Sequence, residues 1–390
     1  MKSDTPHIKG SIDNDIAKPT SALPRVNRLH RRTFLRKVGL GAVLLAPGAG
    51  LLTGSAKVLG APSKPKPSNK RLPRGDVAIL QLLAAAELIE ADLWQQYNEL
   101  GGVDAPTSGY TAGLEILAGD QLQYISDNTD DEISHAAFLN AYLKSKGEAQ
   151  VDLSHSATLA PSQVSFVPQT RRLTNLKQLS VDTSWWIRYR STTNPDFGAA
   201  FADAVPSLRS GQHTAIPRND AELDDPNNPS DHIKAIAFTA GFHFGYIEQG
   251  GTSLYATLAQ KVTDPEVLRI LISIGGSEIM HFQTWQDKAG NATPLTDFDP
   301  VNNSTVTFND LTTNQSETLQ SNLIMPEPCE FTSPNLPPCA IIRPTGSGQL
   351  DATGAIQSFI DDGLFIGQSP QFLQLIRSLA AEADEAKRDG

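Results

Sequence analysis

Two copies of one short pattern, Glu132-Ile133-Ser134-His135 and Glu278-Ile279-Met280-His281, constrain this chain more than any other feature. Each is Glu-x-x-His within a stretch that reads as helix. A spacing of three sets the carboxylate and the imidazole on one helical face about one turn apart, so both can reach one ion or two adjacent ions. One such motif means little, because 8 histidines in 390 residues would produce roughly 0.3 of them by chance. Two in matching contexts mean much more.

The context is a predicted set of four helices. From Asp76 to about Leu100 the chain is rich in helix formers, lacks Gly and Pro and is apolar on more than one face, which predicts a buried helix. A second helix is expected from about Asp120 to Lys146, with its acids mid-helix, and a third from about Pro229 to Gln260. The fourth should start at the cap Asp264, with Pro265 in its first turn, and run to about Ala289. Short turns join the first helix to the second and the third to the fourth. The connection over 146–228 is far longer than a loop and must cover the bundle or cross its length.

Each Glu-x-x-His helix follows a helix carrying a glutamate with a tyrosine seven residues later: Glu90 with Tyr97, and Glu248 with Tyr255. Seven residues is nearly two turns, so each tyrosine shares its glutamate's face and can hydrogen-bond a ligand on a neighbouring helix. At 1.5 Å per residue, Glu90 and Glu132 fall at matching depths of roughly 15 and 18 Å, and Glu248 and Glu278 at about 18 and 20 Å. Six groups can therefore converge as a metal site: Glu90, Glu132, His135, Glu248, Glu278 and His281. Glu87, one turn before Glu90, competes with it but lacks the tyrosine spacing, so Glu90 is preferred. Asp131 is placed to support the imidazole of His135, or is a solvated acid. His232 and His243 read as surface or satisfied core histidines, and Trp185 and Trp186 as anchors for the long connection.

A Glu from each of two helices and Glu-x-x-His from the other two resembles the ferritin-like dimetal carboxylate proteins, among them rubrerythrins, bacterioferritins and manganese catalases. The run Asp130 to Leu139 looks most like the exported, desiccation-related branch. The resemblance covers about 76–146 and 229–289. It implies Glu132 and Glu278 as bridging carboxylates, Glu90 and Glu248 as terminal carboxylates, and one imidazole per metal from His135 and His281. It also implies an all-α, ferritin-like four-helix bundle holding two Fe or Mn ions per chain. The long crossover and the last hundred or so residues depart from compact ferritins and argue against a storage cage.

The two ends of the chain carry other signals. Arg31-Arg32-Thr33-Phe34-Leu35 heads a basic segment, followed by the apolar run Val38 to Leu52 and then Gly54-Ser55-Ala56. That order resembles a twin-arginine signal peptide spanning 1–56, which implies the twin-arginine export machinery as a partner and a periplasmic or extracellular destination. Residues 57–75 read as a Pro- and Lys-rich linker, 76–289 as the bundle and 290–390 as an irregular C-terminal wrapping segment with two closing helices over 351–386. Cys329 and Cys339 are the only cysteines; as a disulfide they would add roughly 3 kcal/mol on the loop-entropy account, the alternative being two unpaired thiols.

Net charge is −11 over the whole chain, which excludes a general nucleic-acid binder, and no apolar run is long enough for a permanent membrane span. The expected function is a dimetal oxidoreductase of ferroxidase, peroxidase or catalase type, acting in stress protection. Its partners would be oxygen, peroxide or ferrous iron, with a homodimer also allowed. The alternative is a noncatalytic desiccation or stress protein with a structural or vestigial metal site.

Overall fold

The computed structural model describes residues 71–180, 212–308, 326–327, 335, 339–340 and 351–388. The signal-like segment 1–56, Trp185, Trp186 and Cys329 lie outside these residues, and of Cys339 only the backbone is described.

Four long helices form where the sequence predicts them: α1 (Arg74–Gly101), α3 (Gln121–Ser145), α4 (Asp231–Ala259) and α5 (Pro265–Ala289). α1 begins inside the stretch read as linker. A shorter helix that the sequence reading missed, α2 (Gly109–Leu117), stands where a short turn was expected between α1 and α3. Its start is a capping box: Ser108 accepts from the Thr111 N–H while the Thr111 hydroxyl accepts from the Ser108 N–H.

α1 packs on α3 and α4 packs on α5, giving two helical hairpins, and α2 packs on α4. α4 is buried on almost every side, as its Phe238, Phe242, Phe244 and Tyr246 require. The tight turn from α4 to α5 is held from both directions. Asp264 accepts from the N–H groups of Glu266 and Val267, and Pro265 sits in the first turn. The Asp76 carboxylate in α1 accepts from Thr263 N (2.9 Å) and Asp264 N (2.7 Å), which fixes this turn against the start of the other hairpin.

The described parts of the crossover, 146–180 and 212–230, contain 3-10 turns at Ser154–Ser156 and Asp220–Glu222 but no long helix. They are pinned to the bundle by buried polar contacts. Asp92 in α1 accepts from the N–H groups of Leu173 (3.0 Å) and Thr174 (2.9 Å) and from the Thr174 hydroxyl (2.7 Å). Arg172 pairs with Glu99, and the Tyr110 hydroxyl donates to the Ala215 carbonyl.

After α5 the chain forms an antiparallel hairpin, β1 (Leu295–Asp299) with β2 (Ser304–Phe308), that lies on α4; Phe308 rests its ring on Phe238 and Phe242. A second small ladder pairs β3 (Pro326–Glu327) with β4 (Cys339–Ala340). Two closing helices follow, α6 (Ala352–Asp361) and α7 (Pro370–Asp384), and α7 lies along α1 with Phe372, Ile376, Ala380 and Ala383 buried. The fold is an all-α bundle with minor sheet. No described helix is long and apolar enough to cross a membrane.

Candidate metal centre

Halfway along the bundle, side chains from all four long helices meet. Their ligand atoms fall into two overlapping groups, each within 4.8 Å: Glu87, Glu132, His135 and Glu278, and Glu132, Glu248, Glu278 and His281. Glu132 and Glu278 belong to both groups, which is the position of a carboxylate that bridges two ions. His135 Nδ1 lies 3.0 Å from Glu132, 3.4 Å from Glu87 and 3.4 Å from Glu278. His281 Nδ1 lies 3.1 Å from Glu132 and 3.2 Å from Glu248.

Glu87, the competitor set aside in favour of Glu90, is the α1 carboxylate placed against His135. Glu90 is also buried, and near enough to Glu132, Glu248 and His281 to feel their charge, but belongs to neither group. The reason is helical phase. Three residues turn a helix by about 300°, so Glu90 points about 60° away from Glu87. The seven-residue spacing was misleading because α1 contains it twice, as Glu87 to Trp94 and as Glu90 to Tyr97. Tyr255 donates to Glu87, so by the chain's internal repeat the counterpart of Tyr255 on α1 is Trp94. Tyr97 does not support a ligand; its hydroxyl meets His243 Nδ1 at 2.7 Å. Burial drives the His243 pKa down to about 3, leaving a neutral ring whose Nδ1 accepts from Tyr97. His243 is thus a core histidine, as one of the two expectations had it, but only half satisfied, since its Nε2 is buried without a hydrogen-bond partner among the described residues.

The outer imidazole nitrogens are held across the bundle. His281 Nε2 lies 3.2 Å from Asp131, and His135 Nε2 lies 3.2 Å from Ser277. Asp131 therefore serves the histidine of the opposite helix, not His135 on its own. Asp131 precedes Glu132 as Ser277 precedes Glu278, so the same position in each half of the repeat reaches across to the other half's ring.

Sequence reasoning passed over two further residues. The Asn128 amide donates to Glu132 (2.8 Å) and Glu248 (2.9 Å), and its carbonyl accepts from Trp285 Nε1 at 2.7 Å. Trp285 fixes which way that amide faces, and it stacks on Trp94 at 5.4 Å. A polar residue one turn before Glu132 was the available signal. Gly251 on α4 was the other omission. A Cβ there would stand 2.4 Å from Glu278 Oε2, so the Glu278 carboxylate occupies space that only glycine leaves open.

The donor set fits cations. Glu87 Oε2, Glu90 Oε2 and both oxygens of Glu278 are buried without a hydrogen-bond partner among the described residues. Buried carboxylate oxygens of this kind are costly unless an ion or a proton meets them. Burial, reinforced by the Glu248 charge, pushes Glu132 up to about 7. Burial likewise raises Glu278 well above the carboxylate range, with Glu132 adding to the effect. For His135 burial acts downward, but donation to Glu132 and the neighbouring Glu87 carboxylate win and lift it to about 10. His281 is raised in the same way, Glu248 opposing the effect of burial. Protons are thus held where cations would sit. The carboxylates are wholly buried, while the His135 and His281 side chains are each 12% exposed, so the centre meets solvent on its histidine side.

A family model described as a ferritin-like domain matches residues 75–291. No curated protein and no solved structure matches the chain.

Proposed function

The chain belongs to the ferritin-like domain family, and from that premise we propose that it is an exported dimetal oxidoreductase holding two Fe or Mn ions and acting on oxygen, peroxide or ferrous iron in stress protection. The observation that carries this reading is the pair of buried oxygens on Glu278 that have no hydrogen bond among the described residues, on a carboxylate shared between two groups that each add one imidazole. Glu132 and Glu278 would bridge, Glu87 with His135 would complete one ion's set, and Glu248 with His281 the other's.

Four carboxylates and two imidazoles are hard and borderline donors that suit Fe or Mn, and such ions would supply the electron transfer. The chain's own residues do the rest. Asn128 and Tyr255 hold Glu132, Glu248 and Glu87 in fixed orientations. Asp131 and Ser277 set the imidazole planes. The apolar wall of Trp94, Phe244 and Trp285 excludes bulk water on one side. With solvent contact limited to the histidine side, a small inorganic molecule is the kind of substrate the opening admits.

Metal analysis of protein purified from its native compartment tests the reading, with Glu132→Ala and His281→Ala beside the wild type. About two transition ions in the wild type, largely lost in both variants, together with turnover of peroxide or ferrous iron, is the expected result. Full occupancy in both variants would place the metal elsewhere, and two ions without turnover would leave a structural role. Export rests on Arg31 and Arg32. Their joint replacement by Lys should strand precursor in the cytoplasm, and undiminished export would refute the twin-arginine reading.

A further inference from the structure

Away from the bundle centre, three side chains from three distant segments converge. His213 belongs to the end of the crossover, where its backbone pairs with Leu179 through reciprocal 2.9 Å hydrogen bonds. His232 stands in the first turn of α4, and Asp297 at the middle of β1. Their ligand atoms all lie within 4.8 Å of one another. His213 Nε2 is 3.0 Å from Asp297 Oδ2, and His232 Nδ1 is 2.7 Å from the same oxygen.

The hydrogen bonding of His213 makes this more than an ion pair. Its Nδ1 lies 2.8 Å from the Thr214 carbonyl, a contact that only a donating N–H can make. In the neutral ring Nε2 then carries a lone pair, and that lone pair is aimed at a carboxylate oxygen. Two acceptors face each other in a site where His213 is 1% exposed. Either a second proton or a metal ion must stand between them. A backbone carbonyl fixing one imidazole nitrogen so that the other is presented to an ion is the usual support of a metal-binding histidine.

We propose that His213, His232 and Asp297 bind a zinc-class divalent ion that fastens the crossover and the β1–β2 hairpin to the start of α4. Two imidazoles and one carboxylate are a borderline donor set of the kind zinc accepts, and the 2.7 and 3.0 Å separations need open only by about half an ångström to reach the roughly 3.3 Å between ligand atoms that each stand about 2 Å from a tetrahedral ion. The fourth position falls to water, because the His232 side chain is 29% exposed while the other two ligands are more deeply set. Arg218 does not compete for Asp297, since it is engaged by Glu222 and Asp299. The site is separate from the bundle centre and shares no ligand with it. Asp297 also lies beyond the 75–291 family match.

The test is zinc and cobalt(II) titration of chelator-stripped full-length protein, read by bound-ion stoichiometry, cobalt visible spectrum and thermal midpoint. The variants are His232→Ala, Asp297→Asn and Glu132→Ala. His232 is partly exposed and Asn keeps the shape of Asp, so neither change need unfold the chain. The first two should each lose one ion per chain with its low-symmetry cobalt bands and its share of the zinc-dependent rise in midpoint, while Glu132→Ala keeps that ion and those bands and loses only the ions of the bundle centre. Unchanged stoichiometry and midpoint shift in both His232→Ala and Asp297→Asn would overturn the proposal and show that a proton fills the gap. Failure of the dimetal reading would appear separately, as retention of every ion by Glu132→Ala.

Discussion

Gly251→Ala adds one methyl group to α4, and the structure says where it must go. The new Cβ would lie 2.4 Å from Glu278 Oε2, 3.1 Å from its Cδ and 3.3 Å from its Cγ. Ordinary contact begins near 3.4 Å, so the carboxylate must retreat by about 1 Å in a close-packed interior. Metal–ligand distances tolerate only about 0.2 Å. Glu278 belongs to both groups of ligand atoms, so its displacement should weaken both ions together, by about tenfold or more, the scale seen when a ligand's orienting contacts are lost. Stability should not follow. Glu278 has no hydrogen bond to lose, and Ala in a helix interior is favoured over Gly by about 1 kcal/mol. Gly276→Ala on α5 is the control, because a Cβ there meets nothing within 4 Å. It should gain about the same 1 kcal/mol and keep its metal. Elemental analysis after dialysis and thermal unfolding of stripped and loaded protein read both quantities. Gly251→Ala that retains two tightly bound ions, or that when stripped unfolds more readily than the stripped wild type, would refute the steric reasoning.

Two more predictions follow from the same groups. In metal-free protein the folded state holds protons more tightly than the unfolded chain does: ionising Glu132 is unfavourable above a pKa of about 7 and without penalty below the usual 4.5, whereas protonated His135 stabilises fully below 6.5 and ceases to do so as pH rises through about 10. Both effects have one sign, so stripped protein should gain stability as pH falls from 8 to 5, with Glu132 alone contributing about 3 kcal/mol, while loaded protein loses it because protons compete for the ligands; a stripped protein whose thermal midpoint drops over that interval would contradict this. Glu87→Gln should lose most of the ion beside His135, whereas Glu90→Gln should keep both ions and stabilise the stripped form, since it removes a buried acid raised well above its usual range by burial and by Glu87; equal metal loss in the two variants would restore Glu90 as a ligand.

The helices and the two Glu-x-x-His motifs were legible because their signals are local. Caps such as Asp264, the 3.6-residue period and the i to i+3 spacing lie within one or two turns of sequence. What failed was relative phase and what crosses between elements. Nothing in α1 distinguishes Glu87 from Glu90 until α4 supplies Tyr255, and nothing near Asp131 says that it serves His281 on another helix. α2 was missed because its capping box uses Thr111 in place of the acidic or amide residue usually sought at that position. The convergence of His213, His232 and Asp297 joins segments with no shared period, so only the folded chain brings it together.

The packing of α7 along α1 has a consequence for the order in which the molecule can be made. α1 leaves the ribosome long before the helix that covers one of its apolar sides, Pro370–Asp384. Nascent chain must carry that side uncovered through synthesis of both hairpins, and closing so distant a contact is slow relative to forming the local ones. A fragment ended at residue 291, where the family match stops, would never acquire the cover. The shortest piece that folds well should therefore be longer than the piece that the family match spans, and a holdase that shields α1 until α7 arrives would raise the yield of the whole chain without acting on the fragment's defect.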